Sequence, residues 1–600
     1  MRTIVLRSIA LIGAAILWAL SLPGLDMRQM NDLGLVSVLP PVYFAALALL
    51  SASFALAVNS RKTPGWLLFL HVVLLILIIH GTPALTYETL RYGWAWNHVG
   101  VTDYILKFGR VDPNITYESG LKIYHNWPGF FALGALFTAA PGFTSALQVA
   151  GLAPVFFNLI DIGPLLLISG AFVRDQRLKW LAVWFFFLGN WIGQDYFSPQ
   201  AMSYYLYLVI IGICLTWFGA RPRPYLRIPG SEGAAGRLEG WWNWLSGPGG
   251  ADDEPSRAST PPRRMGLMAM VILAFGAMAS SHQLTPFVTL IAVGLLVVAC
   301  RCSARSLPIL MAVIALTWVM YGAWSWVGEN VPWVLQTFGQ LGENSALRNP
   351  SLRSDGQVVI ARTALGMSIL LYVLGAAGLG RRWRNARRDL PYLLVAGAPI
   401  PMMFATSYGG EMTLRVYLFT LPYVAFFAAA LLYPTMESGR SRLTSVAVFV
   451  VSIVLVAGLL FAYFGRERMN YFTQDEVDAM SYLYAVAPTG SLVVGEDFTD
   501  FPTHFENAER LNHRSLTSFQ GVRTDPLGTL IDVMGDSRYA ASFMIISRSQ
   551  RIMIEMNNLL PPGNVDLIEE LLKQSGRFQS IYKNRDAEIF TLARQPGAAR

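Results

Sequence analysis

Apolar residues fill most of this chain in long blocks that lack the polar face a soluble amphipathic helix repeats every three or four residues. Blocks approaching about 20 residues suit a bilayer crossing. Thirteen spans can be laid out, at 3–22, 37–58, 66–85, 152–173, 180–193, 201–220, 267–281, 284–300, 309–326, 364–380, 391–407, 416–433 and 443–464. The basic residues between them test the layout, because Lys and Arg of short loops stay cytoplasmic. Arg2 and Arg7, Arg61 and Lys62, Arg174, Arg177 and Lys179, Arg221, Arg223 and Arg227, Arg301 and Arg305, the run from Arg381 to Arg388, and Arg440 with Arg442 all fall on one side. The pattern predicts an α-helical polytopic membrane protein with a cytoplasmic N-terminus. The first block lacks a small-residue cleavage site such as Ala-x-Ala at its end and reads as an anchor, not a signal peptide.

Three stretches depart from this pattern. The apolar run 130–140 is too short to cross and reads as an interfacial or re-entrant helix. The segment 221–264 is rich in Gly, Pro, Ser and charge, as in a flexible cytoplasmic linker, with Trp241, Trp242 and Trp244 as an interfacial anchor. After the membrane part at 1–465, residues 466–600 have the apolar content of soluble protein and predict a small extracytoplasmic α/β domain. Its expected elements are helices at 475–487 and 566–574, strands at 491–495 and 542–547, and a hairpin of 578–582 with 588–592. It has no G-x-G-x-x-G or P-loop pattern, so chemistry is expected in the membrane part.

Composition agrees. A chain of 600 residues with 54% hydrophobic and 14% charged residues exceeds what a soluble core needs. Its mean hydropathy is +0.43. The net charge of +8 is spread over span ends and does not form one basic face, which argues against a nucleic-acid partner. Cys214 lies in a span, and Cys300-x-Cys302 alone lacks the four ligands of a structural zinc site. The excess of Arg over Lys, with abundant Ala and Gly, suggests a GC-rich bacterial source and hence a plasma membrane.

The opposite side collects the unusual polar residues. Its loop at 86–128 holds Tyr87-Glu88, Arg91-Tyr92, Asp103, Asp112, His125 and Trp127, with apolar and aromatic residues at helical spacing between Glu88 and Phe108. Short connections add Asp195-Tyr196, Ser280-Ser281-His282-Gln283, and Glu411 four residues before Arg415. Asp161 falls inside a span and is expected to face the bundle interior. Asp112, before a proline, reads as a turn residue, and the sequon Asn114-Ile115-Thr116 as chance.

An acid just outside an early span, then Arg91-Tyr92 on an amphipathic helix, then Asn126-Trp127-Pro128 turning into a short aromatic helix, resembles the first outer loop of GT-C glycosyltransferases. That family includes aminoarabinose transferases and protein O-mannosyltransferases. An Asp-Glu pair stands there where this chain has Tyr87-Glu88, and a His-Pro-Pro or Lys-Pro-Pro stands near Asn126-Trp127-Pro128. Arg415-Val416-Tyr417 resembles the Arg-Tyr that opens a late span in these relatives. The resemblance implies transfer of a sugar from a polyprenyl-phosphate donor, with inversion, to a glycan, glycolipid or protein acceptor of the cell envelope.

The chemistry asks for the same residue types. An attacking hydroxyl needs a carboxylate base, for which Glu88 is the first candidate and Asp103 the second. A departing lipid phosphate needs cationic or donor groups, here Arg415, His282 and Arg91. Asp195, Tyr196, Glu411, His125 and Trp127 are candidates for holding the acceptor. Mg²⁺ or Mn²⁺ enters the picture if Glu88, Asp103 and Asp195 converge through oxygen ligands. Two rival classes stay open. A polysaccharide polymerase or ligase would use arginines of the loop 327–363, among them Arg348, Arg353 and Arg362. A transporter would show internal repeats and charges at midplane, whereas the two halves show no convincing repeat and few charges lie inside spans.

Overall fold

The computed structural model describes residues 2–115, 121–171, 173–220, 233–246, 259–345, 353–385, 387–435, 441–495 and 501–593. The sequon's Thr116, Arg348, and residues 221–232 and 247–258 of the linker lie outside them. Eight described helices are long and apolar enough to cross a membrane: Ile4–Ser21, Pro41–Val58, Gly65–Thr86, Pro199–Trp217, Pro261–Ser281, Asp355–Arg384, Met412–Ala430 and Arg442–Phe464. A ninth arises if Leu307–Gly322 and Trp324–Thr337, bent by 96°, count as one broken span. Every one of the thirteen expected spans falls on helix, but several are too short to qualify alone. Ala153–Ser169, Thr285–Val298 and Leu390–Phe404 are apolar helices of this shorter kind, as is the non-crossing Gly129–Ala139. The helix Gln176–Gly189 also has only 14 residues. It starts behind the Asp175 cap and ends where Asn190 leaves helical geometry.

That short helix is the centre of the bundle. From Leu178 to Gly189 all residues but Lys179 are buried, as expected of a helix apolar on every side. Trp184 stacks on Phe54 at 4.0 Å and donates its indole N–H to Ser452 Oγ. Two buried ion pairs, Arg177 with Asp175 and Arg382 with Asp389, close one end of the bundle. Tyr433 joins them: Arg177 covers its ring and its hydroxyl donates to Asn59, whose amide reaches Ser441. This is the end that carries the basic clusters. In the linker, a helix Ala234–Ser246 sets Trp244 against Trp383 and Arg388.

Residues after the last span build a five-stranded mixed sheet of order β2-β1-β3-β5-β4. The strands are β1 Leu492–Gly495, β2 Asn512–Ser515, β3 Ser542–Ser547, β4 Phe578–Lys583 and β5 Ala587–Leu592. β1 runs parallel to β2 and β3, whereas β5 pairs antiparallel with β3 and β4. Helix Gln474–Val486 begins with a Thr473–Glu476 capping box, and Arg548–Asn557 with a Ser547–Gln550 box. The short, half-polar β2 and the helices Pro526–Met534 and Arg548–Asn557 are absent from the sequence reading. Arg28 ties the sheet to the bundle through Asp586 at 2.7 Å, and Arg468 meets Asp32 at 2.8 Å.

Helices Asp355–Arg384 and Met412–Ala430 pack closely because Gly378 lets the backbones touch; a Cβ there would fall on the Phe427 carbonyl. At Gly380 an added Cβ meets nothing within 4 Å. Gly378→Val is therefore expected to lower the melting temperature of detergent-solubilised protein well below that of Gly380→Val, as read by fluorescence-detected size exclusion after heating.

Candidate active site

At the end away from the basic clusters, the turn between Gln176–Gly189 and Pro199–Trp217 is held by Ser198, whose Oγ accepts from the Ala201 amide. Gly193 takes a positive φ of 68° beside the Tyr92 hydroxyl, a position where a side chain would be strained. This turn points Asp195 into the bundle. Its carboxylate accepts from Asn158 Nδ2 at 2.7 Å and from the Tyr463 hydroxyl at 3.1 Å, and lies 2.9 Å from His80 Nδ1. Burial pushes the Asp195 pKa up, but the charge and hydrogen bond of His80, with Arg91 and Asn158, outweigh it and hold the carboxyl below its ordinary value. His80 sits in a π-helical turn, Leu77–Gly81, of the third span. Such turns re-aim side chains and are frequent at functional sites.

The network continues without a break. Arg91 donates to the Tyr463 hydroxyl at 2.8 Å, to the Tyr92 hydroxyl at 2.7 Å and to Glu467 Oε1 at 2.7 Å. The other oxygen of Glu467, which is 0% exposed, accepts from the Tyr87 hydroxyl at 2.7 Å. Glu467 thus brings a carboxylate to Tyr87 from 380 residues further along the chain.

The same turn serves a second cluster. Arg415, in the first turn of Met412–Ala430, donates to Gln194 Oε1 at 2.7 Å and to Glu411 Oε2 at 2.8 Å, and its Nε has no partner. Its guanidinium stands 5.3 Å over the Tyr408 ring. Tyr408 has a left-handed φ of 49°, a strained backbone of the kind kept at working sites. His282 Nδ1 accepts from the Leu284 and Thr285 amides at 3.2 Å, so its Nε2 carries the hydrogen and faces the Tyr408 hydroxyl at 3.1 Å. Burial and Arg415 hold His282 well below the ordinary histidine pKa. Tyr196 stacks on His98 at 5.5 Å and, with Tyr124, stands within electrostatic reach of Arg415 and Glu411.

The sequence-predicted residues therefore divide. Asp195, Tyr196, Arg91, His282, Glu411 and Arg415 meet around one turn. Glu88 stands exposed at the junction with the sheet, accepting from the Tyr471 hydroxyl at 2.7 Å and the Gln474 amide at 3.1 Å. Asp103 accepts from Ser145 Oγ and the Ala146 amide, fixing the turn before Leu147–Ala150, and burial raises its pKa. His125 receives the Asp112 amide at 3.2 Å, and Trp127 packs edge-on against Trp326. Glu88, Asp103 and Asp195 thus have separate partners, and among the described residues no three His, Cys, Asp or Glu side chains form a metal group. The three-acid divalent site is not assembled. His80, Tyr463, Glu467 and Asn158 are additions of the structure. The one signal in the sequence is His80, an ionisable residue inside a span, where such groups are costly.

No family model and no curated protein matches this chain. Among solved structures it is similar to ArnT from Cupriavidus metallidurans bound to undecaprenyl phosphate, at 13% identity over 88% of this chain and 98% of that one, with a TM-score of 0.45. It is also similar to the archaeal oligosaccharyltransferase AglB from Archaeoglobus fulgidus in complex with an inhibitory peptide and a dolichol-phosphate, at 11% identity over 85% and 72% of the chains, with a TM-score of 0.47.

Breaking the buried Arg91–Glu467 pair leaves an uncompensated charge, so Arg91→Ala is expected to cost about 3–5 kcal/mol, with much of it recovered when Glu467→Gln is added. Chemical denaturation of the single and double variants measures this. Burial also depresses His98 and His125 to about 4 and His513 to about 3. As pH falls below the ordinary histidine value near 6.5, the unfolded chain takes up protons that these folded sites refuse. Thermal stability present at pH 7 is expected to fall progressively from about pH 6.5 towards pH 4, and His98→Gln to flatten part of that slope.

Proposed function

We propose that this protein is a GT-C-type glycosyltransferase that moves a sugar from a polyprenyl-phosphate carrier to a cell-envelope acceptor at the outer face of a bacterial plasma membrane. The basic clusters support a cytoplasmic N-terminus and an outer sheet domain. The observation that carries the reading is Arg415. It is a nearly enclosed guanidinium at a span end, held open by Gln194 and Glu411, with its Nε–H unpartnered and Asp195 next to Gln194 in the chain. A phosphate at this point would replace Glu411 on Arg415 and bind bidentately. Few other ligands at a membrane surface suit a half-neutralised arginine as well.

In the reaction, the acceptor oxygen forms a bond to the anomeric carbon from the face opposite the phosphate. The proton of that hydroxyl passes to a carboxylate, and the electron pair of the broken sugar–phosphate bond goes to the phosphate oxygen beside Arg415. Inversion puts the base across from the clamp. Glu411 lies on the clamp itself, Asp195 is closed in by three partners, and Asp103 holds a turn, whereas Glu88 keeps a solvent-reachable carboxylate. Glu88 is therefore taken as the base. Asp195 orients the turn that carries Gln194 and Tyr196, and the aromatic wall of Tyr124, Tyr196 and Tyr408 suits stacking on a sugar ring.

The test is transfer of radiolabelled sugar from a panel of polyprenyl-phosphate sugars to envelope acceptors by purified protein in nanodiscs. Glu88→Gln is expected to lower turnover by roughly 10²- to 10⁴-fold with donor binding intact. Arg415→Ala is expected to weaken donor binding, with Arg415→Lys a poor substitute because it cannot bind bidentately. Full turnover in Glu88→Gln but loss in Asp195→Asn or Glu411→Gln would move the base to that acid, and full turnover with Arg415→Ala would end the reading.

A further inference from the structure

Below the Asp195 turn lies a second polar group that the proposed transfer does not use. Helix Ala153–Ser169 presents Asn158 and Asp161 three residues apart, and helix Pro199–Trp217, packed against it, presents Gln200 and Ser203 with the same spacing. Residues three apart share a helix face. All four are buried, at 1%, 5%, 3% and 0% exposure. Asn158 Oδ1, Asp161 Oδ1, both amide atoms of Gln200 and Ser203 Oγ have no hydrogen-bond partner. Unsatisfied buried polar atoms are uncommon and costly, and here five belong to four side chains on two packed helices.

Four of these five atoms are oxygens, and the fifth is the Gln200 amide nitrogen. Asn158 Nδ2 already donates to the Pro154 carbonyl and to Asp195, which fixes Oδ1 as the free end of that amide. Asp161 stands within electrostatic reach of Asp195 on one side and of Tyr204, one turn on from Gln200, on the other. A carboxylate, two amide oxygens and a hydroxyl make a hard, all-oxygen donor set with a single formal charge. Such sets select hard cations, and one carboxylate suits a monovalent ion better than a divalent one.

Charge points the same way. Asp161 and Asp195 are two carboxylates in one buried region, and Arg91 is already matched by Glu467. The His80 ring meets Asp195. An ionised Asp161 needs a cation in these surroundings, and without one it holds a proton. We propose that Asn158, Asp161, Gln200 and Ser203 form a buried sodium site that pins the two helices together beneath the Asp195 turn. The ion would balance Asp161 and stiffen the turn that presents Gln194, Asp195 and Tyr196. The inference stands independently of the transferase reading.

The experiment is equilibrium binding of radioactive sodium to the full-length protein in nanodiscs, with choline holding ionic strength constant, beside melting curves in sodium and in choline. Saturable binding of one ion per chain is expected, with a melting temperature that rises with sodium. Asp161→Asn should abolish both effects while the folded protein elutes normally. If Asp161→Asn does not fold, Ser203→Ala, which leaves the charge in place, should weaken sodium binding by about tenfold or more. Absence of saturable binding by folded wild-type protein would overturn the proposal and leave a proton on Asp161. Undiminished binding by Asp161→Asn, or by Ser203→Ala where that variant is the one available, would overturn it as well.

Discussion

A carboxylate enclosed by helices has to receive charge or hydrogen from its neighbours, because water is no longer there to supply either. Asp195 and Glu467 are the two acids on which this requirement falls hardest. Asp195 draws on His80 of the third span, Asn158 of a short helix and Tyr463 of the last span. Glu467 draws on Arg91 and Tyr87 of the first large loop. Satisfying two carboxylates therefore brings five distant segments to one place. The turn carrying Asp195 also carries Gln194, so the same constraint positions Arg415.

Short helices make this arrangement possible. A helix of full bilayer length puts its ends at the two surfaces, whereas Gln176–Gly189 stops early and lets the chain turn within the bundle. Ala153–Ser169 is short as well, and it contributes Asn158 in its first half and Asp161 at its midpoint. The sheet domain then closes over the junction. Tyr471 and the first turn of Gln474–Val486 grip Glu88, while Arg28 and Arg468 grip Asp586 and Asp32. Glu88 stays exposed there, and Arg415, joined to Gln194 of the Asp195 turn, keeps its Nε unpartnered.

The sequence was most legible where one physical rule acts locally. Apolar blocks identified the membrane helices, and helical and strand-like runs after the last span located Gln474–Val486 and the final hairpin. It was least legible where partners are far apart. Glu467 follows the last span in an Arg-Glu-Arg stretch that reads as a solvated end, and nothing in that stretch reveals that Arg91, 376 residues earlier, buries it. Asp103 and Asp195 look alike in sequence, each an acid before a tyrosine, yet one holds a turn and the other anchors a network.

The sequence by itself determined that this chain is a helical membrane protein with basic residues on one side, unusual polar residues on the other, and an α/β region at its end. Hydropathy and charge decide those features residue by residue. Only the tertiary structure decided which acids are enclosed and which are reachable, how many helices are long enough to cross, and that Asp195 and not Asp103 shares a turn with the Arg415 partner. Enclosure and pairing are properties of neighbours in space, and the helices that supply those neighbours are hundreds of residues apart along the chain.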